Sequence, residues 1–120
     1  MLRILVVDDR VDYREVLVRL LENQPDMGVV AQAGSLSEAR EKKLEGIDVA
    51  LLDRGLPDGD GLELVGELRA LNPGARVFVI SSTDEMTHPR DAIEAGADGV
   101  IDKLDPPERV FATIRERGGG

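Results

Sequence analysis

Acidic, basic and hydroxyl side chains follow the apolar runs of this sequence, where they could act together on a phosphoryl group. Asp8 and Asp9 come directly after the first apolar run, and Asp53 comes directly after the third. Ser81 ends the fourth run, and Lys103 stands two residues beyond the fifth. Because an open parallel sheet binds ligands beyond the carboxyl ends of its strands, we expect these side chains to form one site.

A divalent cation explains why several carboxylates would converge there. Two carboxylates about 4 Å apart repel each other by roughly 4 kcal/mol at an effective dielectric constant of about 20. Oxygen ligation with few protein ligands favours Mg²⁺ over zinc. We expect Asp9 and Asp53 to hold the ion and Asp8 to help through water. Gly55 would add its carbonyl oxygen, since glycine allows close backbone approach.

The same residues suit phosphoryl transfer, which depends on in-line positioning and on neutralising the charge of the transferred oxygens. Asp53 would be the nucleophile and become an acyl phosphate. Lys103 would pair with a phosphoryl oxygen, and Ser81 would donate a hydrogen bond to the transferred group. The adjacent Ser82 is the alternative hydroxyl donor.

Five apolar runs separated by helical patterns predict the elements that position these residues. The predicted strands are Ile4–Val7, Val29–Ala33, Val49–Leu52, Val77–Ile80 and Gly99–Ile101. Four of them are nearly continuous in Val, Ile and Leu, as in strands buried on both faces, and the second is typical of an edge strand. The predicted helices are Val11–Asn23, Ala39–Leu44, Leu62–Leu71, Asp91–Ala95 and Glu108–Arg117. This alternation predicts an α/β fold with a doubly wound, five-stranded parallel sheet and helices on both faces.

Two helix details can be tested directly. Ser35, with Glu38 three residues later, predicts the N-cap of the second helix. The first helix is expected to bury the face formed by Tyr13, Val16, Leu17, Leu20 and Leu21. Asp58, Asp60 and Asp98 lie beside glycines and are interpreted as turn residues, and His88 is assigned no role.

Composition limits the other functions. The 120 residues suffice for one domain, and 24 acidic against 15 basic residues give a net charge of −9. Such a charge argues against direct nucleic-acid binding by this domain. The absence of cysteine excludes disulfides and cysteine zinc sites. With neither a signal-peptide pattern nor a membrane-length apolar run, we expect a cytoplasmic protein without a membrane partner.

Four segments carry a resemblance to a known family. They are Ile4–Asp9, Leu51–Gly61, Val77–Ser82 and Ala95–Lys103. In order and spacing they resemble the response-regulator receiver domain of two-component signalling. The resemblance covers residues 1–117, with 118–120 as a glycine-rich tail or linker start, and implies a flavodoxin-like strand order of 2-1-3-4-5. It implies the roles of acid pair for Asp8 and Asp9, phosphoacceptor for Asp53, switch hydroxyl for Ser81 and conserved-type lysine for Lys103.

The resemblance also implies partners. The segments Gly55–Gly59 and Ala95–Gly99 look most like receivers of helix-turn-helix transcriptional regulators. This implies a histidine kinase or phosphotransfer protein as donor and an effector domain or partner protein as output. It leaves a homodimer through the fourth helix, fifth strand and fifth helix open. The domain would be no enzyme beyond catalysing its own phosphorylation and dephosphorylation. The loop Ser82–Pro89 would follow Ser81 on switching.

Three departures from the family pattern affect the output rather than the chemistry. Val100 stands where the family often has Tyr or Phe. Leu104 replaces a common proline after the lysine, so that peptide bond is expected to be trans. Arg54 follows the acceptor and is expected to point away from it, toward the helix layer or solvent.

The sequence fits three alternative functions to different degrees. An EF-hand over Asp53–Leu64 fails, because Gly55, Pro57 and Leu64 stand where oxygen donors are needed. An aspartyl phosphatase would need extra residues for a substrate cap. A receiver-like interaction module that works without phosphorylation stays open.

Overall fold

Five parallel strands form one sheet in the order 2-1-3-4-5, as expected. The computed structural model describes residues 1–82 and 89–118 of the chain. The strands are β1 (Leu2–Val7), β2 (Met27–Ala33), β3 (Val49–Asp53), β4 (Arg76–Ser81) and β5 (Gly99–Asp102). The helices are α1 (Val11–Glu22), α2 (Leu36–Glu41), α3 (Glu63–Leu71), α4 (Pro89–Glu94) and α5 (Pro107–Gly118). None of the described helices has the length and apolar character that membrane spanning requires.

Helices cover both faces of the sheet, which confirms the predicted layers. On one face, α1 and α5 pack through Leu17, Leu21 and Ile114 against a cluster that includes Phe78. On the other face, α2 and α3 pack through residues such as Leu36 and Leu68. The inner strands read as continuous apolar runs because successive residues enter the two clusters alternately. Strand β2 has one neighbour in the sheet and is only half-buried, in agreement with its predicted edge position.

Helix α1 departs from the predicted burial. Leu17 and Leu21 are buried and Leu20 is partly buried, but Val16 is 53% exposed. Tyr13 is partly buried at the end of α1 that lies next to the carboxyl edge of the sheet. Val18, which was not on the predicted face, is buried, so the buried stripe of α1 is shifted around the helix, away from Val16.

Helix α2 begins earlier than predicted, at Leu36, and ends at Glu41. The Ser35 hydroxyl oxygen accepts a hydrogen bond from the Glu38 N–H at 3.0 Å, which confirms the predicted N-cap. The Asp58 carboxylate, which we interpreted as a turn residue, accepts the N–H groups of Leu36 and Ser37 at 2.8 and 2.9 Å. These bonds, that of Ser37 first, lower the pKa of Asp58. A residue of the loop after β3 therefore completes the start of α2.

Buried Asn72 fixes the segment that leads from α2 into β3. Its Oδ1 accepts the N–H groups of Gly46 and Ile47 at 2.8 and 3.0 Å. Its Nδ2 donates to the carbonyl oxygens of Leu44 and Leu68 at 2.7 and 3.1 Å. One side chain thus satisfies one backbone group at the end of α3 and three in the loop between α2 and β3.

We expect Asn72→Ala to lower the free energy of unfolding by about 2–4 kcal/mol, because buried backbone groups lose their partners. Urea unfolding followed by far-ultraviolet circular dichroism measures this change. The neighbouring Leu71 is 46% exposed, so Leu71→Ala is a matched control with an expected loss below about 1 kcal/mol. Equal losses in the two variants would contradict the role given to the amide.

Candidate functional site

The carboxyl ends of four neighbouring strands bring the candidate residues to one edge of the sheet. Asp8 directly follows β1, and Asp53 is the last residue of β3. Ser81 is the last residue of β4 and is buried, and Lys103 directly follows β5. The Lys103 N–H donates to the Ser81 carbonyl oxygen at 2.9 Å, which ties the last two strands together at this point.

The ammonium of Lys103 lies between two buried carboxylates. Its Nζ is 3.1 Å from Asp8 Oδ2 and 3.2 Å from Asp53 Oδ2. Burial lowers the pKa of Lys103, but hydrogen bonds and charge attraction from Asp8 and Asp53 outweigh it and hold that pKa above its ordinary value. The site therefore keeps a fixed positive charge at neutral pH.

Each of the two carboxylates is oriented by the backbone two residues later. Asp8 Oδ1 accepts the Arg10 N–H at 2.8 Å, and Asp53 Oδ1 accepts the Gly55 N–H at 3.1 Å. Asp53 directs its other oxygen, Oδ2, at Lys103. The Lys103 ammonium lies near both oxygens of Asp8, donating a hydrogen bond to Oδ1 at 3.4 Å and pairing with Oδ2 at 3.1 Å. The bond to the N–H at position i+2 is typical of an aspartate that begins a turn, and here it aims the carboxylate as well.

The acidic cluster fits a divalent cation. Oxygen atoms of Asp8, Asp9 and Asp53 lie within 4.8 Å of one another. Asp8 Oδ2 is buried and accepts no hydrogen bond among the described residues. This oxygen therefore interacts with Lys103 only as an ion pair. Three carboxylates and one ammonium sum to a charge of −2 at neutral pH. Carboxylate oxygens with this charge suit Mg²⁺, with Asp9 on the exposed side of the cluster.

A close approach of Gly61 shapes the other side of Asp53. A Cβ atom added at Gly61 would overlap the carbonyl oxygen of Asp53. The Gly61 N–H also contacts the carbonyl oxygen of Arg54 at 3.4 Å. Only a glycine lets the chain fold back so tightly against the end of β3.

Two aspartates that were not among the predicted site residues hold the turn after β5. Asp102 Oδ1 accepts the Leu104 N–H at 2.8 Å, and Asp105 Oδ2 accepts the Asp102 N–H at 3.2 Å. The Lys103–Leu104 peptide bond is trans, as expected. The sequence could have indicated the role of Asp102. Like Asp8 and Asp53, it stands at the end of a predicted strand, two residues before a backbone N–H that needs a partner.

Arg54 and the two other aspartates interpreted as turn residues make structural contacts. Arg54 Nη2 pairs with Asp60 Oδ2 at 2.9 Å, and its Nη1 lies 4.0 Å from Asp91 in α4, on the helix side that we expected. Asp98 Oδ2 accepts the Val77 N–H at 2.8 Å. His88 and most of the loop expected to follow Ser81 lie outside the described residues.

The side chain of Tyr13 also belongs to this site, although its spacing indicated only a core residue. Lys103 Nζ lies 5.2 Å from the centroid of the Tyr13 ring. Burial, followed by the charges of Asp8 and Asp105, raises the pKa of Tyr13 to about 12. The hydroxyl group therefore stays protonated throughout the neutral range.

We expect the absorbance of tyrosinate to show a titration midpoint near 12 in the folded protein, against an ordinary value of 10.0. The signal is specific, because Tyr13 is the single tyrosine and the chain has no tryptophan. Since the unfolded state loses this proton first, stability should fall as the pH rises above 10.0. Protein unfolded in urea is the control. If the folded protein had the same tyrosine titration midpoint as the unfolded protein, the burial of the ring would be contradicted.

Comparison with known proteins identifies the family. Residues 4–115 match the response regulator receiver domain. The chain is 36% identical over 121 residues to the DNA-binding transcriptional activator DevR/DosR of Mycobacterium tuberculosis, which covers 100% of this chain and 56% of that protein. It is 32% identical over 118 residues to the chemotaxis protein CheY of Listeria monocytogenes, with coverage of 97% and 98%. The chain thus spans about half the length of DevR/DosR and nearly all of CheY.

A solved structure shares the fold. It is a response regulator from Burkholderia pseudomallei, described as having a phosphorylated aspartic acid, a calcium ion and citrate. It matches with a TM-score of 0.80 and 27% identity over 99% of this chain and 69% of that one. Together with the sheet order and the sequence match, this likeness shows that the chain belongs to the response regulator receiver domain family of two-component systems.

Proposed function

We propose that this domain accepts one phosphoryl group on Asp53 in a Mg²⁺-dependent reaction and passes the signal to a partner. The observation that carries the proposal is the orientation of Asp53. Its Oδ1 accepts a backbone N–H at 3.1 Å and its Oδ2 faces the Lys103 ammonium at 3.2 Å, inside a cluster of three carboxylates. The phosphorylated aspartic acid in the Burkholderia pseudomallei relative supports this assignment.

In the proposed reaction, a carboxylate oxygen of Asp53 attacks the phosphorus of a phosphohistidine or a small phosphodonor. The bond from phosphorus to the donor nitrogen or oxygen breaks, the leaving group keeps the electron pair, and Asp53 becomes an acyl phosphate. Water later attacks the phosphorus and restores the carboxylate. The domain in this scheme is a catalyst only of its own modification.

Five residues besides Asp53 would support this reaction. Asp8, Asp9 and the Gly55 carbonyl, together with Asp53, would hold the metal ion, which neutralises charge on the phosphoryl oxygens when bound. Lys103, already directed at Asp53, would pair with a phosphoryl oxygen, and so stabilise charge that develops during transfer. Ser81 is buried at the end of the neighbouring strand, where it would donate a hydrogen bond to the transferred group.

The proposed partners follow from the family. A histidine kinase or phosphotransfer protein would supply the phosphoryl group in the cytoplasm, and an effector domain or separate protein would receive the signal. The similarity to DevR/DosR supports an output in transcriptional control. The face of α4, β5 and α5 is the proposed dimer surface, and its exposed Ile93 supports a protein contact there. The net charge of −9 argues that any DNA contact is made by another domain.

Incubation with acetyl phosphate and Mg²⁺ should add one phosphoryl group to the intact mass of the protein. EDTA should prevent the addition, and Asp53→Asn should abolish it because the nucleophile is lost. Asp26, which pairs with Arg115 in an exposed contact, provides the control Asp26→Asn, which should be modified like the wild type. Failure of the wild type to gain mass or to bind beryllofluoride would overturn the phosphoacceptor proposal in favour of an interaction module.

We expect Asp9→Asn to weaken Mg²⁺ binding by about tenfold or more, because one direct ligand charge is removed from the cluster. Calorimetric titration of the unphosphorylated protein measures the change. Asp12 is also exposed but lies in the first turn of α1, so Asp12→Asn is the matched control and should change the affinity by no more than about twofold. Equal effects of the two substitutions would refute the assignment of Asp9 as a ligand.

A further inference from the structure

The ammonium of Lys103 makes two kinds of contact, with carboxylates and with an aromatic ring. The carboxylate contacts are the ion pairs with Asp8 and Asp53, at 3.1 and 3.2 Å. The aromatic contact is with the Tyr13 ring, whose centroid lies 5.2 Å from Nζ. A cation at this distance from an aromatic ring is attracted by the electrons of the ring. The side chain of Lys103 is 15% exposed, so these contacts are largely shielded from solvent.

We propose that Tyr13 is a positioning residue for phosphoryl transfer, and that its ring holds the Lys103 ammonium against Asp53. This inference rests on the proposed function of Asp53 as phosphoacceptor. Tyr13 would act through Lys103 and would not itself contact the phosphoryl group.

The ring is well placed for this role because α1 is fixed to the acid pair. The Arg10 N–H donates to the Asp8 carboxylate at 2.8 Å, and Arg14 Nη1 donates to the Asp8 carbonyl oxygen at 2.7 Å. Tyr13 lies between these two anchors in the sequence, in the first turn of α1. Lys103 comes from the other end of the chain, after β5. The ring thus gives the lysine a contact with a rigid part of the site.

A bound metal ion would weaken the two ion pairs of Lys103 but not its contact with the ring. Carboxylates that ligate a cation interact less with the lysine, because their charge is shared with the metal ion. The uncharged ring is no metal ligand and keeps its attraction for the ammonium. During phosphoryl transfer, the ring would therefore keep Lys103 within reach of the acceptor when its ion pairs weaken.

The ring also lies next to solvent-accessible space. Tyr13 and Lys103 line a cavity of about 360 Å³, together with Arg10, Val16 and Leu104. A smaller aliphatic residue at position 13 would enlarge this cavity beside the ammonium and admit water to it. Water would weaken the attraction between Lys103 and the charge that develops on the phosphoryl group.

The test measures the rate of phosphorylation by acetyl phosphate at saturating Mg²⁺. Tyr13→Leu should lower the rate by about three- to tenfold, the size expected from losing a partly buried cation–aromatic contact. Tyr13→Phe keeps the ring and should restore the rate to within about twofold of the wild type. A Phe variant as slow as the Leu variant, or a Leu variant as fast as the wild type, would overturn the proposal.

A double-mutant cycle tests whether Tyr13 acts through Lys103. In a Lys103→Met background, Tyr13→Leu should cause no further loss of rate, because the cation that it positions is gone. If Tyr13→Leu lowered the phosphorylation rate by the same three- to tenfold in this background, Tyr13 would act independently of Lys103 and the proposal would be overturned.

Two controls separate this effect from damage to the fold or to the metal site. Val16 lies one turn further along α1 and lines the same cavity, but its side chain is already 53% exposed to solvent, so truncating it opens little buried space. Val16→Ala should therefore leave the rate within about twofold of the wild type. Mg²⁺ affinity should be unchanged in Tyr13→Leu, and a parallel loss of metal affinity would count against the proposal. Tyr13→Met, flexible enough to fill the site, replaces the Leu variant if thermal unfolding shows that the Leu variant is not folded.

The result for the wild type in the same assay distinguishes a failure of the Tyr13 proposal from a failure of the Asp53 proposal. A wild type that gains a phosphoryl group while the Leu variant matches its rate overturns the role of Tyr13 alone. A wild type that gains none overturns the role of Asp53, and the role of Tyr13 with it.

Discussion

The ion pairs of Lys103 with Asp8 and Asp53 are the interactions on which the site depends. Both carboxylates are almost fully buried, and two buried negative charges side by side are costly without a nearby cation. The cation comes from a residue 95 positions from Asp8 and 50 from Asp53 in the sequence. The site therefore exists only when β1, β3 and β5 have all joined the sheet. Its local charge of −2 then favours the divalent cation that we propose for the reaction.

A repeated arrangement gives this edge of the sheet its order. Asp8, Asp53 and Asp102 each end or follow a strand, and each accepts the backbone N–H two residues later. The same bond begins the turn and orients the side chain, so strand termination and site geometry have one cause. Arg54 connects the loop after β3 to α4 through Asp91. The residue next to the proposed phosphoacceptor thus contacts a helix of the surface that we propose for signalling.

The sequence predicts the sheet and the members of the site for a simple physical reason. Buried strands require apolar runs, and polar residues that follow them must gather where parallel strands end. Contacts between side chains distant in sequence were not predictable in this way. The amphipathic pattern of α1 indicates that Tyr13 is partly buried, but not that it faces Lys103, and it wrongly placed Val16 inside. Asn72 and Asp58 bind backbone groups more than 20 positions away, a separation about which local spacing carries no information.

The cap that Asp58 provides to α2 couples the stability of this helix to β3. Leu36 and Asp58 are 22 residues apart, and the chain between them contains all of β3. A helix of six residues is too short to persist in isolation, so α2 depends on this bond and on its packing against the sheet. Its first turn is complete only when the loop after β3 lies beside it. Loss of β3 from the sheet would thus also destabilise α2.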